Sequence, residues 1–210
     1  MGKVSVERLQ HRTTVIELIH LYNPMARNAL DDRMLNSLEQ ILQNLTYNLS
    51  ASAIVITGSG NKAFSVGVAA FAEKAEFPLL SIRAHLQRII QQIKASPIPT
   101  VATINGYALA EGMELAQACT YRISSEEATL SILPGMEKSD EMLDQDSFSQ
   151  DLDVMTQDWR TIPKLVTATE AVKLHLIDQV VPPAMLEAVV LQWASQLGQR
   201  RTLPVMSDHE

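Results

Sequence analysis

The stretch "PIPTVATINGYALAEGMELAQACTYRIS", residues 97–124, decides the fold. Its two prolines stop whatever helix precedes it. "TVATI" is a short continuous apolar run, as expected of a strand buried on both faces of a parallel sheet. "NGYAL" turns the chain, and an apolar helix is predicted from about Gly112 to Ala118. Where turn becomes helix stand two carboxylates, Glu111 and Glu114, spaced to lie near one helix face. "TYRIS" then begins another strand. Strand, turn, helix and strand in so short a span predict an α/β fold of repeated β-β-α units.

The same alternation continues on both sides. Val4–Leu9 and Thr14–Leu21 read as strands around "QHRT". Asn23-Pro24 ends the second, and Asp31 or Asp32 caps a helix to about Leu45, with Met34, Leu38, Ile41, Leu42 and Leu45 on one face. "AIVIT" (53–57) is a buried strand, "GSGNKAF" a turn and "SVGVAAFAEK" a small-residue loop. Helix signals return at Leu79–Lys94. Beyond the central stretch, "ATLSI" completes a strand pair around "SSEE". "TATEAVKLHLIDQVV" is a capped helix running into a strand, and Leu186–Leu197 is a last helix. Residues 134–158 are acidic and Met-rich with no clean period. The expected organisation is one domain over residues 1–200, a divergent acidic segment at 134–158, and a flexible tail at 201–210.

With 210 residues, 46% of them hydrophobic and 20% charged, the chain suits one sizeable globular domain. A net charge of −7 disfavours nucleic acid and acidic membrane surfaces as partners. No run approaches the ~18 apolar residues of a spanning helix, and charges interrupt the N-terminus before any signal-peptide core. Val6 stands where a myristoylation signal needs Ser or Thr. The one cysteine, Cys119, allows no intrachain disulfide and fits a reducing, cytoplasmic compartment. It falls in an apolar helix pattern, as a small buried hydrophobe does. His20, His85 and His175 show no metal-ligand spacing, so no metal is expected. Ser65 and Ser131 lack a His/Asp context for nucleophilic catalysis. "GSGNK" lacks the spacing of a phosphate loop. Met34, Met113, Met136, Met142 and Met155 read as packing residues.

Four blocks follow one another along the chain: "NPMARNAL", "AIVITGSGNKAFSVGVA", the stretch at 97–124, and "VTATEAVKLHLIDQVVP". In order and spacing they resemble the crotonase superfamily, the enoyl-CoA hydratase/isomerase family, over roughly residues 4–197. The resemblance implies a crotonase-like spiral of β-β-α turns assembled as a homotrimer or hexamer. It also implies acyl-thioester substrates carried on CoA or an acyl-carrier protein, with no separate cofactor. The family's shared chemistry is stabilisation of a thioester enolate by two backbone N–H groups. The resemblance assigns these to Val68 and Glu111, although Glu111 stands where the family carries glycine and Ala69 where it often carries Asp. It puts Arg27, Ala29, Lys62, Phe64, Val66 and Val68 on substrate- and CoA-binding loops. Arg27 and Lys62 read equally well as ordinary surface charges.

Glu114 matches the first of the family's two hydratase glutamates. The place of the second is Pro134, which transfers no proton, and the nearest acidic residue is Glu137. Hydration needs an acid and a base on one face of the double bond. One carboxylate therefore suits isomerase, decarboxylase or dehydratase chemistry better. Glu111 poses a separate problem. A charge ~5 Å from an enolate oxygen costs roughly 3 kcal/mol at an effective dielectric of ~20. Its side chain either points away, acts as an acid, or merely favours the positive end of the helix. The acidic segment at 134–158 replaces the family's Gly-rich helix start, and typical members run on for several tens of residues past the last helix. These departures support a rival reading: a non-catalytic homologue that binds thioesters or helps another enzyme.

Overall fold

Nine residues of β1 (Lys3–His11) pair antiparallel with nine of β2 (Thr14–Tyr22). This is the first step of a computed structural model that describes residues 2–11, 13–68, 76–132 and 164–202. A one-turn 3-10 helix (Pro24–Ala26) follows, and then α1 (Asp32–Asn48). Asp31 caps α1, its carboxylate accepting the Met34 N–H at 2.9 Å. Met34, Leu35, Leu38, Leu42 and Leu45 form the buried face; Ile41 packs at its margin.

Two β-β-α units come next. β3 (Ala53–Gly58), β4 (Ala63–Ser65) and α2 (Glu76–Lys94) form one. β5 (Thr100–Ile104), β6 (Tyr107–Ala108) and α3 (Glu111–Ala118) form the other. β7 (Tyr121–Ser125), β8 (Thr129–Ile132) and β9 (Lys164–Thr167) are followed by α4 (Ala168–Lys173), β10 (Gln179–Val181) and α5 (Leu186–Thr202). The first strand of each unit joins a six-stranded sheet ordered β1-β2-β3-β5-β7-β10. The second strand joins a four-stranded sheet ordered β4-β6-β8-β9. From β2 to β10 the large sheet is parallel. The chain therefore winds as a spiral of β-β-α turns, the architecture expected from residues 97–124.

Both faces of the large sheet are covered, so "AIVIT" and "TVATI" are apolar without alternation. Ile19, Leu21, Ile54, Ile56, Ala102 and Ile104 face α1, α2 and α3 in one core layer. Ile16, Val55, Val101 and Ile123 face α5 in the other. α5 is fixed there by Trp193 stacking on Tyr121, with ring centroids 4.5 Å apart.

The element bounds differ from expectation at three ends. α2 begins at Glu76 and takes Pro78 into its first turn, where a missing N–H breaks no helical bond. α3 begins at Glu111 and not Gly112, because the Gly112 and Met113 N–H groups already bond to Leu109 and Ala110 carbonyls at 2.8 and 2.9 Å. α5 runs past Leu197 to Thr202, so residues 201 and 202 are helical and not part of a tail. The segment at 134–158, with Pro134, Glu137, Met136, Met142 and Met155, lies outside the described residues, as does Ala69.

Candidate active site

The site is where the loop after β4 meets the start of α3. Asn28, in the left-handed region at φ 57, is 1% exposed. Its amide donates to the Ala63 carbonyl at 2.7 Å and the Ser59 carbonyl at 3.1 Å, while its oxygen accepts the Asn23 N–H at 2.9 Å. This pins the 23–30 loop against β4. Leu30 continues the contact, donating to the Gly67 carbonyl at 2.7 Å and forming a parallel bridge with Val68. The Gly67 N–H donates to Ser65 Oγ at 3.2 Å. These bonds orient the peptide that carries the Val68 N–H.

The opposite wall is built the same way. The Leu109 N–H donates to the Ser65 carbonyl at 3.0 Å, and the Ala110 N–H to Ser131 Oγ at 2.7 Å. Ser65 and Ser131 are both fully buried. Ala110 sits at φ 45, ψ −126, a conformation that glycine adopts freely and alanine under strain. It turns the chain so that α3 starts against the β4 loop. Gly112 makes that approach possible: a Cβ there would lie 2.3 Å from the Ser65 carbonyl oxygen. Gly67 has the same role on the other side, at φ +100.

Into the gap between these walls projects the Glu111 side chain. Its Oε2 accepts the Val68 N–H at 3.2 Å, and its Oε1 pairs with Arg83 Nε of α2 at 2.8 Å. The Glu111 side chain is 13% exposed and that of Arg83 57%. The Glu111 N–H has no hydrogen-bond acceptor among the described residues. Glu114, one turn along α3, accepts from Gln87 Nε2 at 2.7 Å. α2 thus supplies a donor to each carboxylate from residues one turn apart. α2 is itself tied to α1 through buried His85, whose Nε2 lies 3.0 Å from Glu39 Oε2 and Nδ1 3.9 Å from Asp32 Oδ1.

The structure joins Val68 to Glu111 and places Glu114 one turn along the same helix, its carboxylate on Gln87. It also joins Arg27 and Lys62 through Tyr107: the Arg27 guanidinium lies 5.3 Å from the Tyr107 ring centroid, and the Tyr107 N–H donates to the Lys62 carbonyl at 3.0 Å. Both basic side chains are exposed, and that of Arg27 lies over this ring. Phe64 and Ala29 are buried in the core, so only their backbones face the loops, and Val66 is half-buried. Sequence reasoning missed Arg83 and Gln87, which lie four residues apart on α2 and face the two glutamates three apart on α3. It weighed Ser65 and Ser131 as nucleophiles, whereas they hold the walls of the site.

A cavity of about 500 Å³, lined by none of Val68, Arg83, Gln87, Glu111 and Glu114, lies at the C-terminal ends of β2, β3, β5 and β7 beside α5. His20, Thr57, Thr103, Asn105 and Glu187 line part of it. The converging donors and carboxylates described above do not line it. Among the described residues no cluster of His, Cys, Asp or Glu is placed to hold a metal ion. Among them also no helix is long and apolar enough to cross a membrane.

Comparison with known proteins bears on this geometry. The family model for enoyl-CoA hydratase/isomerase matches residues 11–138. YngF of Bacillus subtilis, a protein named for the same family, is 40% identical over 118 residues, covering 55% of this chain and 45% of YngF. A crotonyl-CoA hydratase of Syntrophomonas wolfei is 26% identical over 201 residues, covering 90% of this chain and 75% of the relative. The crystal structure of an enoyl-CoA hydratase from Bacillus anthracis superposes with a TM-score of 0.75 at 26% identity, covering 93% of this chain and 76% of that one. The chain therefore spans less than half the length of YngF and about three quarters of the other two. The chain belongs to the enoyl-CoA hydratase/isomerase family.

Proposed function

We propose that this member of the enoyl-CoA hydratase/isomerase family processes acyl-thioesters, carried on CoA or an acyl-carrier protein, by stabilising their enolates. The backbone N–H groups of Val68 and Glu111 form the oxyanion hole. The carboxylate of Glu114 moves the proton. Arg27, over the Tyr107 ring, and Lys62 bind the phosphates and adenine of CoA, and the backbone around Ala29, Phe64, Val66 and Val68 lines the thioester. The substrate itself brings the CoA, and no further cofactor takes part. The family likeness extends the proposal to a homotrimer or hexamer working in the cytoplasm.

One observation carries this reading. The Val68 N–H already holds a carboxylate oxygen at 3.2 Å, at the start of α3. A pre-formed donor beside a helix N-terminus favours an anionic oxygen. Fixed donors where charge develops are worth about 3–4 kcal/mol each in acyl-transfer enzymes. In the proposed reaction the thioester oxygen accepts from Val68 and Glu111 while Glu114 takes or returns a proton at the carbon chain. Gln87 leaves the second oxygen of Glu114 available for that exchange. With a single carboxylate assigned to proton transfer, isomerisation, decarboxylation or dehydration is favoured over hydration.

The same carboxylate supports a second reading. Glu111 occupies the donor a substrate would need, as suits a thioester-binding or helper subunit that no longer turns over. A thermal-shift screen with acetyl-, crotonyl- and long-chain acyl-CoA, followed by proton exchange in heavy water, separates the two. Ligand at a hundred times its Kd adds about 2.7 kcal/mol of stability. Stabilisation with exchange at the thioester α-carbon supports the enzyme, and stabilisation without exchange supports the helper. No stabilisation by any of the three rejects acyl-CoA as the ligand.

A further inference from the structure

The Glu111 carboxylate bridges two donors, the Val68 N–H through Oε2 and Arg83 Nε through Oε1. The contact is built into the backbone: a Cβ on Gly67 would lie 2.6 Å from Oε2. On the acyl-thioester reading, Oε2 stands where the thioester oxygen has to go. A neutral carbonyl must displace a carboxylate to enter. Once the enolate forms, a displaced but unpaired carboxylate beside it would oppose the developing charge. Some cation must therefore hold Glu111 in both states. Arg83 is already bonded to the oxygen that does not face Val68, and its Nη groups have no acceptor among the described residues. Its half-exposed guanidinium can follow a rotating carboxylate without crossing the core.

We propose that Arg83 is a positioning residue for the oxyanion hole. It keeps Glu111 by Oε1 while the thioester displaces Oε2 from Val68, and its charge offsets that of Glu111 as the enolate forms. Arg83 touches no reacting atom and acts through Glu111. Glu111 is then a resident competitor for the hole, and Arg83 is what lets the chain carry a glutamate where a glycine would otherwise serve. This inference rests on the acyl-thioester reading above.

Butyryl-CoA tests it, having a thioester and an α-proton but no double bond to hydrate. Calorimetric titration gives Kd, and mass spectrometry in heavy water gives the exchange rate, for wild type, Glu111→Gln, Arg83→Gln and the double variant. Glu111→Gln keeps the backbone N–H but removes the competing charge, and Kd falls about tenfold, equivalent to about 1.4 kcal/mol. Arg83→Gln leaves Glu111 uncompensated, and exchange slows at least about tenfold. In the double variant that loss disappears, with exchange within about threefold of Glu111→Gln alone. A purely structural role for Arg83 would not be rescued in this way. The inference is overturned if Arg83→Gln costs the same on both backgrounds or if Glu111→Gln binds no more tightly than wild type. Binding by all four proteins without exchange in any overturns it too, while leaving a thioester-binding function intact. If none of the four binds, the acyl-thioester reading itself is lost, and the inference with it.

Discussion

Val68 and Glu111, 43 residues apart in sequence, are joined by a hydrogen bond from the Val68 N–H to Glu111 Oε2 at 3.2 Å. The bond crosses the gap between the β4 loop and the start of α3. It holds an anionic oxygen where a backbone donor and a helix N-terminus converge. A like charge ~4 Å from an enolate oxygen costs about 4 kcal/mol at an effective dielectric of ~20. On the proposed reading that matches the whole benefit of one hole donor, so the Arg83 contact would decide whether the hole can work.

Glu114 is assigned the proton. Glu114→Gln should slow α-proton exchange of a bound acyl-CoA by at least about 100-fold, within the usual range for losing a general acid–base. Because the side chain takes no part in the hole, Kd should change little. Exchange at the wild-type rate would remove Glu114 from the mechanism.

Ala110 is strained at φ 45, ψ −126. Ala110→Gly should relieve that strain, offset in part by greater freedom of the unfolded chain. A net gain of about 1 kcal/mol is expected in urea denaturation. A loss of stability would mean that the turn does not hold this conformation in solution.

Gly112 has no room for a methyl group, since its Cβ would meet the Ser65 carbonyl oxygen at 2.3 Å. Although alanine is the better helix former, Gly112→Ala should destabilise the protein by about 1–3 kcal/mol through overpacking. The melting temperature measures this directly, and an unchanged value contradicts the close approach of α3 to β4.

Cys119 is buried, and burial pushes its thiol from 9.0 up to about 12, against smaller opposing effects of Thr100 and Arg122. Above pH 9 the unfolded chain releases this proton while the folded chain keeps it. The unfolded state then binds fewer protons, so stability falls as pH rises, by up to about 1.4 kcal/mol per pH unit between the two values. In urea denaturation the stability difference between wild type and Cys119→Ala should shift against wild type from about pH 8 to about pH 10.5. A difference independent of pH would place the thiol in water.

The two core strands "AIVIT" and "TVATI" were legible because strands buried on both faces need no alternation, and turn residues bound each one. The α1 cap was legible to within one residue: the sequence offers Asp31 and Asp32, and geometry selects Asp31. The bond from Val68 to Glu111 was not legible. The resemblance assigns both backbones to the hole but does not say where the Glu111 side chain points. Its direction follows from the turn at Ala110 and from Arg83, which lies on a different helix. Which side chains of α2 reach α3 depends on how the two helices rotate against each other, and periodicity within either one does not set that. The buried serines 65 and 131 carry no motif, because their work is to accept backbone N–H groups.

A crystal structure with butyryl-CoA bound tests the central claim most directly. The thioester oxygen should lie within hydrogen-bond distance of both the Val68 and Glu111 nitrogens, with Glu111 Oε2 displaced from Val68 and Oε1 still on Arg83. A thioester bound elsewhere, with Glu111 still accepting the Val68 N–H, would contradict it.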